Sequence, residues 1–193
     1  MNDARPWTHA ALFGAVWGAL ELSLGTVLKL GRLPLSGLIM TLLGLACLVT
    51  LRRLQPVPGI CLLAGVSAAT LKVLALGGFY PGPVIGIVVE AAVVELAMDV
   101  AGGRPGAILA GALAAAADPI QMLIMVRVVA GAEAVHGYAR AGMAVLGSVG
   151  LHGVTPVQLL AALVAAVAVA GAAGGALSWR IAARVARRLG VTP

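Results

Sequence analysis

The sequence predicts an all-α fold: a polytopic membrane protein built as a bundle of about six transmembrane helices. The first observation is composition, since 61% of the 193 residues are hydrophobic and only 10% are charged. A soluble domain carries about 25% charged residues, so we expect the outer surface of this chain to face lipid. The second observation is that the apolar runs are continuous and do not alternate with polar residues. Continuous runs favour helices over the strands of a membrane barrel.

Six apolar segments approach the roughly 20 residues that a transmembrane helix requires. The predicted helices cover about 8–28, 34–51, 59–78, 84–101, 106–130 and 156–178. Five prolines lie at or just before the start of a segment, where a residue without an N–H group is tolerated. They are Pro34, Pro58, Pro83, Pro105 and Pro156.

The remaining stretches complete a single transmembrane domain, residues 1–193. Residues 131–155 are too polar to span a bilayer, so we expect a long loop there with a short interfacial helix. Residues 179–193 form a basic C-terminal tail. Cys47 and Cys61 lie inside apolar segments without a metal-ligand spacing, and we interpret them as small buried hydrophobic residues.

The basic residues predict the orientation, because cytoplasmic loops of membrane proteins carry the excess of lysine and arginine. With the N-terminus inside, eight basic residues are cytoplasmic and four are external. The cytoplasmic group is Arg5, Arg52, Arg53, Arg104, Arg180, Arg184, Arg187 and Arg188, and the external group is Lys29, Arg32, Arg127 and Arg140. We therefore expect both termini inside (N-in/C-in), with Trp7 and Trp179 as anchors at one interface. The net charge of +6 follows this distribution, and we expect no nucleic-acid partner.

Small residues recur every four positions in the first predicted helix, as Ala11, Ala15 and Ala19. Such a stripe allows another helix to approach closely, because no long side chain separates the two backbones. Two interpretations stay open at this stage. The stripe packs inside the monomer, or it is a docking surface for a separate subunit.

Ionisable groups in a membrane segment cost roughly 2.5–3.5 kcal/mol each and usually line a cavity or a pathway. In the N-in/C-in topology, four predicted helices bring polar groups to a similar depth in the outer half of the bilayer. These groups are Glu21, Lys72, Glu90, Asp118 and Gln121. We expect Glu21, Lys72 and Glu90 to face one cavity that opens to the outside.

We expect a lid over this cavity, formed by Phe79 and Tyr80 with the first loop around Lys29 and Arg32. The paired aromatic side chains suit stacking on a heterocycle or, alternatively, anchoring at the headgroups.

Each of these charges also has a purely structural explanation. Lys72 snorkels towards the interface in one interpretation, and forms a buried pair with Glu21 in another. Asp99 pairs with Arg104 near the cytoplasmic end. Glu95 and Asp99 share a helix face, whereas Glu90 points elsewhere.

The chain resembles the substrate-binding S components of energy-coupling factor (ECF) transporters. The resemblance rests on the length, the six predicted helices, the Ala-x-x-x-Ala stripe and the segment GGFYPGPVIGIVVEAAVVEL at residues 77–96. It implies a multi-pass protein of a prokaryotic cytoplasmic membrane that captures a small, vitamin-like or heterocyclic solute from outside. It also implies a membrane coupling subunit, which would dock on Ala11, Ala15 and Ala19, and separate cytoplasmic ATPase subunits.

Three functions therefore remain as hypotheses. The first is a solute-binding transport subunit that is not an enzyme and needs no cofactor or metal. The second is a membrane-embedded enzyme acting on a lipid or polar headgroup through Glu90, Glu95 or Asp99. The third is a structural or assembly protein whose charges hold helices together.

Overall fold

A computed structural model describes residues 4–31, 35–75, 81–148, 150 and 153–190. Within these ranges the chain is all-helical, as the sequence predicted, and contains seven α-helices. They are α1 (Ala4–Leu30), α2 (Ser36–Leu54), α3 (Ile60–Ala75), α4 (Pro81–Ala101), α5 (Gly103–Ala130), α6 (Ala132–Ser148) and α7 (Pro156–Arg188). Helices α1–α5 and α7 coincide with the six predicted segments within a few residues at their described ends, with one exception. Helix α7 continues ten residues beyond the predicted end at 178, so most of the predicted C-terminal tail is helical up to Arg188.

Helix α6 is longer than the short helix expected within a long loop at 131–155. It covers 17 residues of that stretch and contacts only α5 and α7 among the helices. Gly131 separates it from α5 with a φ of 83°, a conformation that glycine adopts without a steric penalty. The prediction of a helix in this stretch is confirmed, but the polar residues led to an underestimate of its length. A polar sequence excludes a buried span but not a peripheral helix.

Four helices are long and apolar enough to cross a bilayer by length and composition. They are Pro6–Leu28, Ser36–Leu54, Gly103–Ala130 and Pro156–Arg188, and the shorter Ile60–Ala75 is also apolar. These helices are compatible with a membrane protein. The count of six spans and the position of the termini stay predictions.

Helix α2 lies at the centre of the bundle. It contacts α1, α3, α4, α5 and α7, and the outer helices contact one another in the order α1, α3, α4, α5, α7. The core around α2 contains the fully buried Trp17 of α1 together with Leu45, Leu48 and Leu51. A cavity beside α2 is therefore lined by side chains from several helices.

Helices α5 and α7 approach each other through glycine. Gly171 and Gly175 of α7 lie against the backbone of α5 at Gly111 and Ala107. A Cβ at position 171 would lie only 2.6 Å from the Cβ of Ala115, so even alanine would force the helices apart. Small residues four apart produce this contact, as in other membrane helix pairs.

Helix α7 begins where its sequence predicts a helix start. Thr155 and Gln158 form a capping box. The backbone N–H of Gln158 donates to Thr155 Oγ1 at 3.3 Å, and the backbone N–H of Thr155 donates to Gln158 Oε1 at 2.9 Å. Pro156 occupies the first turn. At the other end of the helix, Trp179 is half-buried and lies beneath the guanidinium group of Arg53, 4.0 Å from the ring centroid. Trp7 is exposed, so only one of the two predicted anchors is a free surface residue.

Candidate functional site

A cavity of about 550 Å³ lies within the bundle, lined by residues of α1–α5 and α7. Five of the seven residues that the sequence singled out as solute-binding lie in its wall. They are Glu21, Lys72, Glu90, Asp118 and Gln121. The remaining two, Phe79 and Tyr80, lie outside the described residues, as does Arg32 of the expected lid.

Lys72 and Glu21 form an ion pair in the cavity wall. The ammonium group of Lys72, on α3, donates to Glu21 Oε2 on α1. Both side chains are buried, with 6% and 11% of their surfaces exposed. Lys72 therefore does not snorkel to an interface, and of the two structural interpretations the buried pair is the one observed. The pair still borders the cavity, so the two charges largely neutralise each other within it.

Glu90 is the carboxylate with the least compensation. Its Oε1 atom is buried and has no hydrogen-bond partner among the described residues, and the same holds for Nε1 of Trp17. Both atoms lie over Gly44 of α2. A Cβ at position 44 would lie 2.8 Å from Trp17 Nε1 and would also overlap Glu90 Oε1. Gly44 therefore creates the space that the Glu90 carboxylate occupies.

Asp118 belongs to α5, and its carboxylate lies against the N-terminal end of α2. Leu35, the residue that precedes this helix, has a φ of 63° and gives the helix no side-chain cap. A Cβ at position 37 would lie 3.2 Å from the Asp118 Cγ, so the carboxylate packs directly on the Gly37 backbone. The unpaired amides of a first helical turn favour a negative charge there. This location gives Asp118 a structural role in addition to its place in the cavity.

Gln121 and Pro119 shape the α5 side of the cavity. Gln121 Nε2 donates to the carbonyl oxygen of Gly82 at 3.0 Å and so links α5 to the first turn of α4. Pro119 lies inside α5 and, because it has no N–H group, cannot donate to the carbonyl of Ala115. Both residues line the cavity.

Glu95 and Asp99 lie outside the cavity and contact Arg52 at the end of α2. Glu95 Oε1 is 3.0 Å from Arg52 Nη1, and the other guanidinium nitrogen contacts Asp99. Asp99 thus pairs with Arg52 and not with Arg104 as expected. Arg104 is close to Asp99 in the sequence, but helix packing brings Arg52, at the end of α2, to this face of α4.

Glu95 also holds the start of α3. Its two oxygens accept hydrogen bonds from the amides of Gly59 (2.8 Å) and Cys61 (2.7 Å). A carboxylate at a helix N-terminus satisfies amides that have no partner within the helix. Its contacts are therefore those of a structural residue. Cys61 is fully buried and Cys47 partly so, in keeping with their interpretation as apolar residues.

The small residues of α1 divide between two faces. Ala10, Gly14 and Gly18 are buried, and the two glycines face α3 at Ala64, Ser67 and Ala68. By contrast, the three alanines of the predicted stripe are exposed on the surface of the bundle. They are Ala11, Ala15 and Ala19. The neighbouring row, and not the stripe itself, thus makes the packing contact within the monomer.

Sequence reasoning missed several residues of the site. Trp17 and Gly44 enclose the Glu90 carboxylate, and Thr41, Met122 and Met125 line the cavity. Gly44 offered a signal, since it is an isolated glycine within an apolar helix. The others resemble ordinary core residues and had none.

Fold and cavity together define a class: an all-helical protein with long apolar helices around a mainly apolar cavity that carries a few charged groups in its wall. No family model, no curated protein and no solved structure matches this chain. Among the described residues, no group of three or more His, Cys, Asp and Glu side chains has an arrangement that could hold a metal ion.

Proposed function

We propose that this protein is the solute-binding membrane subunit of an importer of the ECF type, the S component. It captures a small vitamin-like or heterocyclic solute from outside and delivers it through a membrane coupling subunit driven by separate ATPases. The observation that supports this most directly is the cavity, in which charged groups from four helices surround a space of about 550 Å³. This is within the size range of ligand pockets for small molecules.

The energetics of the cavity favour a binding function over a purely structural one. Charges whose only role is to hold helices together should form ion pairs with each other, as Lys72 and Glu21 do. Glu90 is half-buried, and its buried Oε1 atom accepts no hydrogen bond within the described part of the chain. An uncompensated buried carboxylate destabilises a fold. A polar solute that contacts Glu90 would offset this cost.

The exposed stripe on α1 supports the proposed partner. Ala11, Ala15 and Ala19 form an exposed row of small residues that no helix covers among the described residues. Exposed large apolar residues, Leu12 and Val16, lie between them. A coupling subunit could place a helix against this face with close backbone contact. In this proposal the termini are cytoplasmic and the cavity is loaded from outside.

The alternative of a lipid-modifying enzyme has no specific observation in its favour. Glu90 and Glu95 are five residues apart on α4 and therefore point about 140° apart around the helix. Glu95 and Asp99 contact Arg52, whereas Glu90 lines the cavity. The three carboxylates do not form one acid–base group.

Native mass spectrometry of the protein, purified in mild detergent, tests the proposal. We expect a retained small molecule that dissociates on activation and that is lost from the Glu90→Gln variant. Asp99→Asn is the matched control, since it removes a charge of the same helix outside the cavity and should keep the molecule. A protein that retains no solute after expression in rich medium, in any of these forms, would support the structural or assembly alternative.

A further inference from the structure

We infer that the cavity selects an organic cation, a solute with an apolar body and one protonated amine, amidine or ring nitrogen that binds the Glu90 carboxylate. This inference rests on the proposed function and names the class of its substrate. Three observations support it: the charged groups in the cavity wall, the position of Glu90, and the apolar character of the remaining wall.

The cavity wall carries more negative than positive groups. Its charged residues, within the described part of the chain, are three carboxylates and one ammonium group. They are Glu21, Glu90, Asp118 and Lys72. The ammonium group is bound to Glu21, so it is not available to an anionic solute. An anionic solute would therefore meet the Glu90 carboxylate with no free ammonium group in the described part of the wall to bind it, and charge repulsion would disfavour its binding.

Glu90 is the group to which a cation would bind. Asp118 is accounted for by the N-terminal end of α2, and Glu21 by Lys72. Glu90 Oε1 has no donor from the described residues, although the atom is buried. A cationic N–H group supplies both the missing hydrogen bond and the opposite charge, and such charge-assisted bonds are about twice as strong as neutral ones.

The rest of the wall fits an organic molecule better than an inorganic ion. It is mainly apolar, with contributions from Ile87, Met122, Val126, Leu163 and Val167. A small hydrated ion would leave this surface wet and would require several oxygen ligands in close order. An organic cation can bury its body against the apolar wall and place its charge at Glu90.

Labelling of an introduced thiol tests the inference without knowledge of the natural solute. Met125→Cys, in a Cys47→Ala/Cys61→Ala background, places a thiol in the cavity wall, and Val126→Cys provides a second position should the first variant fold poorly. The probes are two methanethiosulfonates of similar size: trimethylammonioethyl, a cation, and sulfonatoethyl, an anion. Each rate is divided by the rate with free 2-mercaptoethanol.

The control position is Val145→Cys on α6, which is 66% exposed and does not line the cavity. We expect the cation-to-anion rate ratio to be about tenfold higher in the cavity than at position 145, because a charged cavity concentrates counter-ions. Glu90→Gln should lower the ratio in the cavity by about threefold or more and leave it unchanged at position 145.

An equal or inverted ratio, or a cavity thiol that reacts with neither reagent, overturns the inference. A ratio that Glu90→Gln does not change overturns the role of Glu90. These failures are distinct from failure of the proposed function. A neutral or anionic solute retained in native mass spectrometry would support a transport subunit and would contradict the cation.

Discussion

Lys72 of α3 and Glu21 of α1 form an ion pair inside the bundle, at the wall of the cavity. Lys72 is 5% exposed, so the pair is shielded from water and each charge depends on the other. Removing the lysine would therefore leave the Glu21 carboxylate buried and unpaired.

Lys72→Met should therefore lower the free energy of unfolding by about 3 kcal/mol, the usual loss when one partner of a buried pair is removed. Thermal unfolding in detergent, followed by circular dichroism or tryptophan fluorescence, measures this. The double variant Glu21→Gln/Lys72→Met should regain most of the stability, since neither charge remains. If the double variant is less stable than Lys72→Met, the two residues act independently.

Glu90→Gln should weaken solute binding by about tenfold or more, which corresponds to about 1.4 kcal/mol. Its thermal stability should be unchanged or raised, because Glu90 Oε1 has no hydrogen-bond partner among the described residues and its charge is costly in this setting. The measurements are the fraction of protein that retains solute and the melting temperature. A lower melting temperature with retained solute would show that Glu90 is structural.

Glu95→Ala should destabilise the protein by about 3 kcal/mol without any effect on solute retention. It removes the acceptor for the Gly59 and Cys61 amides and leaves Arg52 with one fewer carboxylate. Asp99→Ala is the matched control: this side chain is 39% exposed, and its loss should cost less than about 1 kcal/mol. Equal melting temperatures for the two variants would contradict the role of Glu95 in holding α3.

Ala15→Leu should weaken association with a coupling subunit while leaving folding and solute retention intact, because position 15 is exposed. Co-purification of the two membrane subunits measures the association. The neighbouring Gly14→Ala is the control. Its Cβ would lie 2.6 Å from the Cβ of Ser67, so it should lower stability by about 1–3 kcal/mol. Normal complex formation by Ala15→Leu would argue against the stripe as a docking surface.

The termini should lie on the same side of the membrane, in the cytoplasm, if α6 is peripheral and the other six helices span. Reporters that are active on only one side, fused to each terminus in turn, measure this. Seven helices make the result informative, since a spanning α6 would put the termini on opposite sides. Termini on opposite sides would exclude the six-span topology, and two external termini would reverse the predicted orientation.

The positions of most helices could be predicted from the sequence, because they depend on local hydropathy and on proline positions. Continuous apolar runs and prolines at their starts predicted the positions of α1–α5 and α7. Residues 131–155 were harder to predict, since α6 is amphipathic and such a sequence is compatible with either a loop or a helix.

The candidate site was predictable in part. The depth of Glu21, Lys72, Glu90, Asp118 and Gln121 along their helices suggested a common level, and all five line one cavity. The depth of a residue along its helix follows directly from its position in the sequence, because each residue adds a fixed rise. The direction in which a side chain points around the bundle depends on which helices are neighbours, and the sequence does not contain this directly.

By itself, then, the sequence determined an all-α chain with apolar helices and the level of the polar groups along them, because hydropathy and helical rise are local properties. Only the tertiary structure decided which charged side chains pair: Lys72 with Glu21, and Asp99 with Arg52. It also decided that the Glu90 carboxylate packs against Gly44 beside Trp17. The physical reason is that electrostatic and packing contacts between helices depend on rotation and on neighbours, and these are determined by the close approach of small residues across the whole bundle.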